Sequence, residues 1–139
     1  MNYELSCGAV VFTRKNDEIF YVIVKSIEGF YGFPKGHMEK NETEKETALR
    51  EILEEVGLEV KIDEGCRIVA EHPLPKKKGV MKRIIYFVAE YENQIIKYQQ
   101  EELQDARLMK YEEAISSFQF EESKNILKEA NEYILKNYM

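Results

Sequence analysis

Hydrophobic and β-branched residues dominate two early stretches of the chain. The first runs from Tyr3 to Phe12 and the second from Ile19 to Lys25, and the polar residues Arg14 to Asp17 separate them. Runs of this composition around a short polar turn are typical of a β-hairpin. The stretch from Glu28 to His37 contains three glycines and a proline, so we expect a shaped loop there and no regular element.

The pattern changes to a helical period after Asn41. Either Asn41 or Thr43 can cap a helix, Thr43 and Glu46 have the spacing of a capping box, and Gly57 is a typical helix stop. The sequence therefore predicts a helix from about Thr43 to Val56.

The two sides of this helix differ in chemistry. At about 100° per residue, Glu51, Glu54 and Glu55 share one face. The other side carries the apolar residues expected to pack on a sheet, which are Ala48, Leu49, Ile52, Leu53 and Val56. The carboxylates repel one another, and a hard divalent cation such as Mg²⁺ or Mn²⁺ would turn that repulsion into binding. Arg50 can reach Glu54 across one helical turn and hold its carboxylate in a fixed orientation.

Strand-like and helical patterns follow in the rest of the chain. Strands are predicted at Leu58 to Ile62 with Cys66 to Glu71, at Arg83 to Tyr91 and at Ala106 to Lys110, with a loop from Pro73 to Gly79. Helices are predicted from Tyr111 to Ser117 and from Glu121 to about Asn137. This order favours an α/β fold in which a mixed β-sheet carries helices on both faces.

Length and charge narrow the classes of function. The chain has 139 residues and a formal net charge of -6, so we expect one domain over residues 1–139 and no non-specific binding to nucleic acid or to an anionic membrane. The absence of a long apolar run predicts a soluble, cytoplasmic protein. Cys7 and Cys66 lie in apolar contexts and are interpreted as buried hydrophobic residues. A polyanionic substrate would then require divalent cations and a local basic patch.

The spacing of the acidic residues is more specific than their number. Gly36 is followed after five residues by Glu42 and after seven more by Arg50-Glu51, and the helix ends in Glu54-Glu55, one residue, Gly57. This spacing is an uninterrupted match to the Nudix box, so the chain resembles the Nudix hydrolase family. The segments CGAVVF, GFPKGH, ETALRE and SFQFEESKNILKEANEYI are most similar to the asymmetrical diadenosine tetraphosphate hydrolases.

The resemblance implies a fold and a set of roles. The fold would be an α/β/α sandwich with a loop-helix-loop and a C-terminal helix. Glu51, Glu55 and the backbone carbonyl of Gly36 match metal ligands. Glu54 matches a carboxylate that acts as a ligand or as the general base. We assign it as the base, a role that Glu51 could take instead. Arg50 belongs to the same catalytic group.

Two further acidic positions have two interpretations each. Glu42 would support the loop or bind metal through water. Glu102, with Glu101 beside it, matches an additional metal ligand, and the alternative is a solvent-exposed glutamate before a strand. The implied cofactor is Mg²⁺, with Mn²⁺ as the alternative.

The substrate side is expected to combine basic and aromatic residues. Lys35, beside Gly36, and Lys82 are the predicted phosphate contacts. Lys82 belongs to a basic group that also contains Arg83 and Lys76 to Lys78. Tyr133 matches an aromatic residue that stacks on adenine, although it also lies on the apolar stripe of its helix. His72 is the weaker candidate for a second stacking partner, because the loop after Glu71 has no aromatic residue. His37 is interpreted as a loop-orienting residue and not as a base.

The sequence leaves three functions open. The first is Mg²⁺-dependent hydrolysis of a dinucleoside polyphosphate, from diadenosine tetraphosphate to ATP and AMP. The second is another Nudix specificity, for a triphosphate RNA end, an oxidised nucleoside triphosphate or a nucleoside diphosphate sugar. The third is a nucleotide-binding module without catalysis. A purely structural acidic protein is the remaining alternative. The expected partner is a small nucleotide, and no oligomeric state is predicted.

Overall fold

Seven strands and three helices form within the described part of the chain. The computed structural model describes residues 2–139. The strands are β1 (Asn2–Lys15), β2 (Glu18–Ser26), β3 (Tyr31–Gly32), β4 (Lys35–His37), β5 (Lys61–Pro73), β6 (Val80–Glu90) and β7 (Leu103–Met109). The helices are α1 (Glu44–Val56), α2 (Tyr111–Ser117) and α3 (Glu121–Tyr138). No helix among residues 2–139 has both the length and the apolar character that crossing a membrane requires.

The strands form one mixed sheet with the order β3-β2-β1-β6-β5, to which β4 adds on β1 and β7 adds on β2. The pairing of β1 with β6 is parallel and the other pairings are antiparallel. The β1–β2 turn consists of Asn16 and Asp17, both with positive φ, which is the geometry of a two-residue hairpin turn. The predicted hairpin is therefore confirmed.

Alternate side chains of the sheet fill two separate cores. One core lies between the sheet and α2 and α3, and includes Tyr86, Val88, Leu127 and Ile134. The other lies between the sheet and α1, and includes Ile52 with Phe87. The molecule thus has three layers, α/β/α, and the predicted fold class is confirmed. Cys7 and Cys66 are both buried and unpaired, as expected.

Helix α1 begins and ends where the sequence indicates. Thr43 is the N-cap, and its reciprocal hydrogen bonds with Glu46 complete the capping box. Gly57 ends the helix in the left-handed conformation, with φ of 70°. The predicted apolar side is wrong at Leu53, which is 49% exposed, because the stripe that faces the sheet runs through Ala48, Ile52 and Val56, with Leu49 packed at its edge.

Two further predictions are wrong, one about an irregular stretch and one about the limits of a strand. The stretch from Glu28 to His37 is not wholly irregular, because β4 pairs with Ser6–Gly8 of β1. The two predicted strand pieces after Gly57 form the single strand β5, with a bulge between Asp63 and Arg67, and its first residue is Lys61 and not Leu58. In both places, pairing with a distant strand decides the structure, and the local pattern does not.

Candidate active site

The β1–β2 hairpin opens into a fork, and this fork positions the site. β1 pairs with β2 only over Phe12–Lys15, and nearer its start the same strand pairs with β4. β4 therefore lies inside the fork and places Lys35 and Gly36 beside α1, with which it is in contact. Gly8 permits this approach, because a Cβ at Gly8 would overlap the carbonyl oxygen of Pro34.

Two carboxylates of α1 face β4. A Cβ added to Gly36 would overlap the carboxylate of Glu51, so the backbone at Gly36 and the Glu51 side chain are in close contact. Glu55 Oε1 accepts a hydrogen bond of 3.1 Å from the Lys35 N–H. Desolvation is the main cause that raises the pKa of Glu51, and it raises the pKa of Glu55 to about 7. The sequence predicts that Gly36, Glu51 and Glu55 lie together, and the structure places them together.

Arg50 connects the helix to the loop that precedes it. Its Nε and Nη2 atoms donate to the two oxygens of Glu42 at 2.6 and 2.9 Å, and Nη2 also donates to the carbonyl of His37 at 2.9 Å. Nη1 donates to Glu51 at 2.9 Å. The predicted contact with Glu54 exists but is longer, at 3.3 Å. Arg50 therefore mainly holds Glu42, Glu51 and the loop, and Glu54 remains half exposed to solvent.

Glu42 makes the contacts of a loop-supporting residue. Besides Arg50, it accepts hydrogen bonds from the Glu39 N–H and the Thr47 hydroxyl, both at 2.9 Å. The hydrogen bond with Arg50 is the main cause that lowers its pKa to about 2. Because both oxygens are engaged, the geometry favours the first interpretation of Glu42, as support for the loop.

Glu102 lies in the turn before β7 and lines the same cleft as Glu55. It is exposed, and its charge is among the causes that raise the pKa of Glu51 and Glu55. Among residues 2–139, no three His, Cys, Asp or Glu side chains are already arranged to hold a metal ion. One oxygen of Glu51 is bound to Arg50 and one oxygen of Glu55 to the backbone of Lys35, so the second oxygen of each carboxylate is left for a cation.

The cleft next to these carboxylates has a volume of about 390 Å³. Lys35 and Lys82 line it together, and desolvation followed by the charge of Lys35 lowers the pKa of Lys82. Two cations thus lie near two partly buried carboxylates. A larger groove, of about 920 Å³, lies at the β1–β2 turn. None of the carboxylates singled out by the sequence lines it, so the candidate site is assigned by chemistry and not by size.

The other predicted basic residues lie elsewhere. Lys77 pairs with Glu4, and Arg83 pairs with Glu71 while its guanidinium lies 4.0 Å from the Tyr3 ring centroid. Lys76 and Lys78 are exposed and do not line the cleft. Of the predicted basic group, the structure therefore brings only Lys82 to the cleft with Lys35.

Tyr133 does not line the cleft. Its hydroxyl donates to Asp63 Oδ2 at 2.9 Å, and the Tyr138 hydroxyl donates to the same atom at 2.8 Å. Asp63 lies at the bulge of β5, so the hydrogen bonds of both tyrosines connect α3 to that strand. The alternative interpretation of Tyr133, as part of the packing of α3, agrees with this position. His72 does line the cleft, whereas the His37 side chain is exposed.

Two aromatic residues of the cleft were missed by the sequence analysis. Phe30 and Phe120 both line it, are 45% and 51% exposed, and have ring centroids 5.0 Å apart. We call this pair the aromatic surface. Neither residue belongs to a periodic apolar face, since Phe30 lies in the glycine-containing loop and Phe120 precedes α3. An aromatic residue outside every periodic apolar face is not expected in a core, and this feature of the sequence could have identified both residues.

Comparison with known proteins agrees with this geometry. The NUDIX domain family matches residues 3–130. The asymmetrical bis(5'-nucleosyl)-tetraphosphatase of Rattus norvegicus is 31% identical over 141 residues, which cover 93% of this chain and 94% of the rat protein. The Sus scrofa protein of the same name is 29% identical with the same coverage.

Solved structures show the same fold. A C. elegans Ap4A hydrolase, in a binary complex, superposes with a TM-score of 0.86 over 96% of this chain and 98% of that one, at 21% identity. The match covers nearly all of both chains. The protein described here therefore belongs to the Nudix domain family of hydrolases, which act on phosphorus-containing acid anhydrides.

Proposed function

We propose that this protein hydrolyses dinucleoside polyphosphates and converts diadenosine tetraphosphate to ATP and AMP. The observation that carries the proposal is one cleft that combines Glu55 of α1 and Glu102 with two lysines and the aromatic surface. The similarity to the rat tetraphosphatase, which extends over 93% of the chain, supports the same substrate class. We further propose that residues 1–139 act as a single domain on a small nucleotide.

The site is chemically suited to a divalent cation. Glu51 and Glu55 offer oxygen ligands, and both carboxylates have a raised pKa because burial opposes their charge. A hard cation relieves that cost, which is the usual use of clustered carboxylates with Mg²⁺ or Mn²⁺. Glu51, Glu55, Glu102 and the carbonyl of Gly36 would hold the cation. When bound, it supplies charge neutralisation for the phosphates and lowers the pKa of a water.

The chain's own side chains bind the polyphosphate and move the proton. Lys35 and Lys82, which line the cleft, contact phosphate oxygens. Glu54, which is held only loosely by Arg50, accepts the proton of the attacking water. The new P–O bond forms from that water, the bond to the bridging oxygen breaks, and the bridging oxygen leaves with the departing nucleotide. Arg50 keeps Glu51 and the loop in place during this step.

The aromatic surface binds a base of the substrate. Stacking on aromatic side chains contributes about 1–3 kcal/mol per base in nucleic-acid complexes and tolerates different bases. Phe30 and Phe120 are exposed toward the cleft without being part of either core. Their contact with a base explains why two large apolar rings are left open to solvent.

A substrate panel tests the proposal. It contains diadenosine tetraphosphate, a triphosphate-ended RNA, an oxidised nucleoside triphosphate and a nucleoside diphosphate sugar, each with Mg²⁺ and with products identified by mass in ¹⁸O-labelled water. We expect ATP and AMP from the first compound, with the label on one of them. Failure to release ATP, together with turnover of another compound, would replace the proposed substrate with that compound.

A further inference from the structure

The loop between β2 and β3 presents Phe30 through a tight set of backbone contacts. The Phe30 N–H donates to Ser26 Oγ at 3.0 Å, and the Ser26 N–H donates to the Phe30 carbonyl at 2.8 Å. Gly29 has φ of 97°, a conformation that residues with a side chain rarely adopt. The loop therefore has a defined shape, but these contacts are internal and do not fix it against the opposite wall of the cleft.

Gln119 makes the connection to that wall. Its Oε1 accepts from the Tyr31 N–H at 3.1 Å and its Nε2 donates to the Gly29 carbonyl at 3.0 Å. The two hydrogen bonds lie on either side of Phe30 in the chain. Gln119 also directly precedes Phe120, so one side chain fixes the loop of the first ring relative to the backbone of the second.

We propose that Gln119 is a positioning residue that holds Phe30 beside Phe120 and thereby sets the affinity of the cleft for the base of its substrate. This inference rests on the proposed function, because it assumes that a base contacts the aromatic surface. Gln119 itself does not line the cleft. It acts on the substrate only through the placement of Phe30.

The chain provides a matched control for this role. Gln94 makes the same kind of two-bond bridge, with Oε1 accepting from the Glu59 N–H and Nε2 donating to the Glu59 carbonyl, both at 2.8 Å. Gln94 lines the groove at the β1–β2 turn and not the cleft. Gln94→Ala therefore removes an equivalent pair of hydrogen bonds without touching the aromatic surface.

The first experiment compares two ligands in Mg²⁺ buffer: ATP, which has a base, and inorganic tripolyphosphate, which has none. For Gln119→Ala we expect the Kd of ATP to rise about tenfold, as loss of most of one stacking contact would give, while the Kd of tripolyphosphate stays within twofold. Gln94→Ala should change neither. Equal losses for both ligands, an unchanged Kd of ATP, or the same loss in Gln94→Ala would each overturn the proposal.

A double-mutant cycle separates positioning from a general loss of structure. Phe30→Ala should weaken ATP binding, and adding Gln119→Ala to it should weaken binding no further, because the ring that Gln119 positions is gone. Additive effects would overturn the proposal. Gln119→Glu keeps the acceptor for Tyr31 but loses the donor to Gly29, so it should fall between wild type and Gln119→Ala. A wild-type Kd for Gln119→Glu and for Gln119→Ala would contradict the role.

Hydrolysis distinguishes this inference from the proposed function. With diadenosine tetraphosphate, Gln119→Ala should raise KM about tenfold and leave kcat within twofold. If the wild-type protein did not cleave this compound but the difference between ATP and tripolyphosphate persisted, the proposed substrate would be wrong and the role of Gln119 would stand. If cleavage occurred but ATP and tripolyphosphate were affected alike, the proposed substrate would stand and the role of Gln119 would be wrong.

Discussion

At the scale of single residues, Gly36 is the position where the smallest change should have the largest effect. Any Cβ there would overlap the Glu51 carboxylate. We expect Gly36→Ala to displace Glu51, to reduce kcat/KM by at least about tenfold and to destabilise the fold by about 1–3 kcal/mol, as overpacking generally does. Steady-state kinetics and urea unfolding would measure both effects.

Gly32 provides the control for that substitution. It lies in the same segment, and a Cβ there would have no heavy atom within 4 Å. Because Gly32 lines the cleft, it is a control for stability: Gly32→Ala should keep the wild-type free energy of unfolding. If both variants were equally destabilised, general sensitivity of the segment would explain the loss of stability, and contact with Glu51 would not.

Glu54 separates an enzyme from a silent binding module. Its side chain is 51% exposed and only loosely bound to Arg50, so Glu54→Gln should leave folding unchanged. As the proposed general base, its loss should lower kcat by about 10²–10⁴-fold. Glu129→Gln, an exposed substitution on α3, should have no effect on kcat. Wild-type turnover by Glu54→Gln would remove Glu54 from the base role.

The sequence predicted some side-chain neighbours better than others. Glu51 and Glu55 share one face of α1, as helical geometry predicts. Gly36 was expected beside them from the resemblance, and the pairing of β4 with β1 places it there. The partner of Arg50 was less predictable, since Glu42 reaches it only after the loop folds back on the helix. Phe30 and Phe120 are 90 residues apart and meet through the packing of two connections, which no local pattern encodes.

At the scale of elements, the N-terminus of α1 is fixed and stabilised by its N-cap, Thr43. The capping box satisfies backbone donors at the first turn, and removal of such a side chain costs about 1 kcal/mol. Thr43→Ala should lower the free energy of unfolding by that amount in urea titration, with the same m-value. Ser116→Ala, at an exposed position of α2, should change it by less than about 0.5 kcal/mol. A loss as large in Ser116→Ala would show that the cap is not the cause.

Helix limits were predictable from the sequence, and strand limits were less so. Capping residues are local signals, and Thr43 and Gly57 mark α1 within one residue. β4 has only three residues, too few for an alternating pattern, and it exists because β1 offers a free edge inside the fork. The bulge in β5 is likewise stabilised by Asp63, whose partners Tyr133 and Tyr138 are far along the chain.

At the scale of the whole molecule, cation binding should couple to stability. A ligand that binds only the folded state stabilises it by mass action, and here it would offset the cost of burying two carboxylates. We expect Mg²⁺ to raise the Tm of the wild-type protein by a few degrees. The double variant Glu51→Gln/Glu55→Gln should lose most of this increase.

The control for Mg²⁺ binding carries the same change of net charge. Glu121→Gln/Glu132→Gln alters two exposed glutamates of α3 and should keep the full increase in Tm. An equal response in both double variants would indicate non-specific screening of an acidic protein and not a site. Because the net charge is -6, this comparison is needed before any Tm increase is assigned.

The fork in the β1–β2 hairpin also determines how the site moves. Lys35 and Gly36 belong to a strand of the sheet, and the bond from the Met38 N–H to the Leu5 carbonyl, at 3.0 Å, extends that pairing by one residue. β1 is paired with β6 along 11 residues on its other edge. Local opening of β4 would have to break its pairing with β1 and its contacts with α1, so the Met38 amide proton should exchange with solvent more slowly than those of exposed loops. Movement at the cleft is then expected of the side chains and of the aromatic surface, while the backbone of Lys35 and Gly36 stays paired with β1.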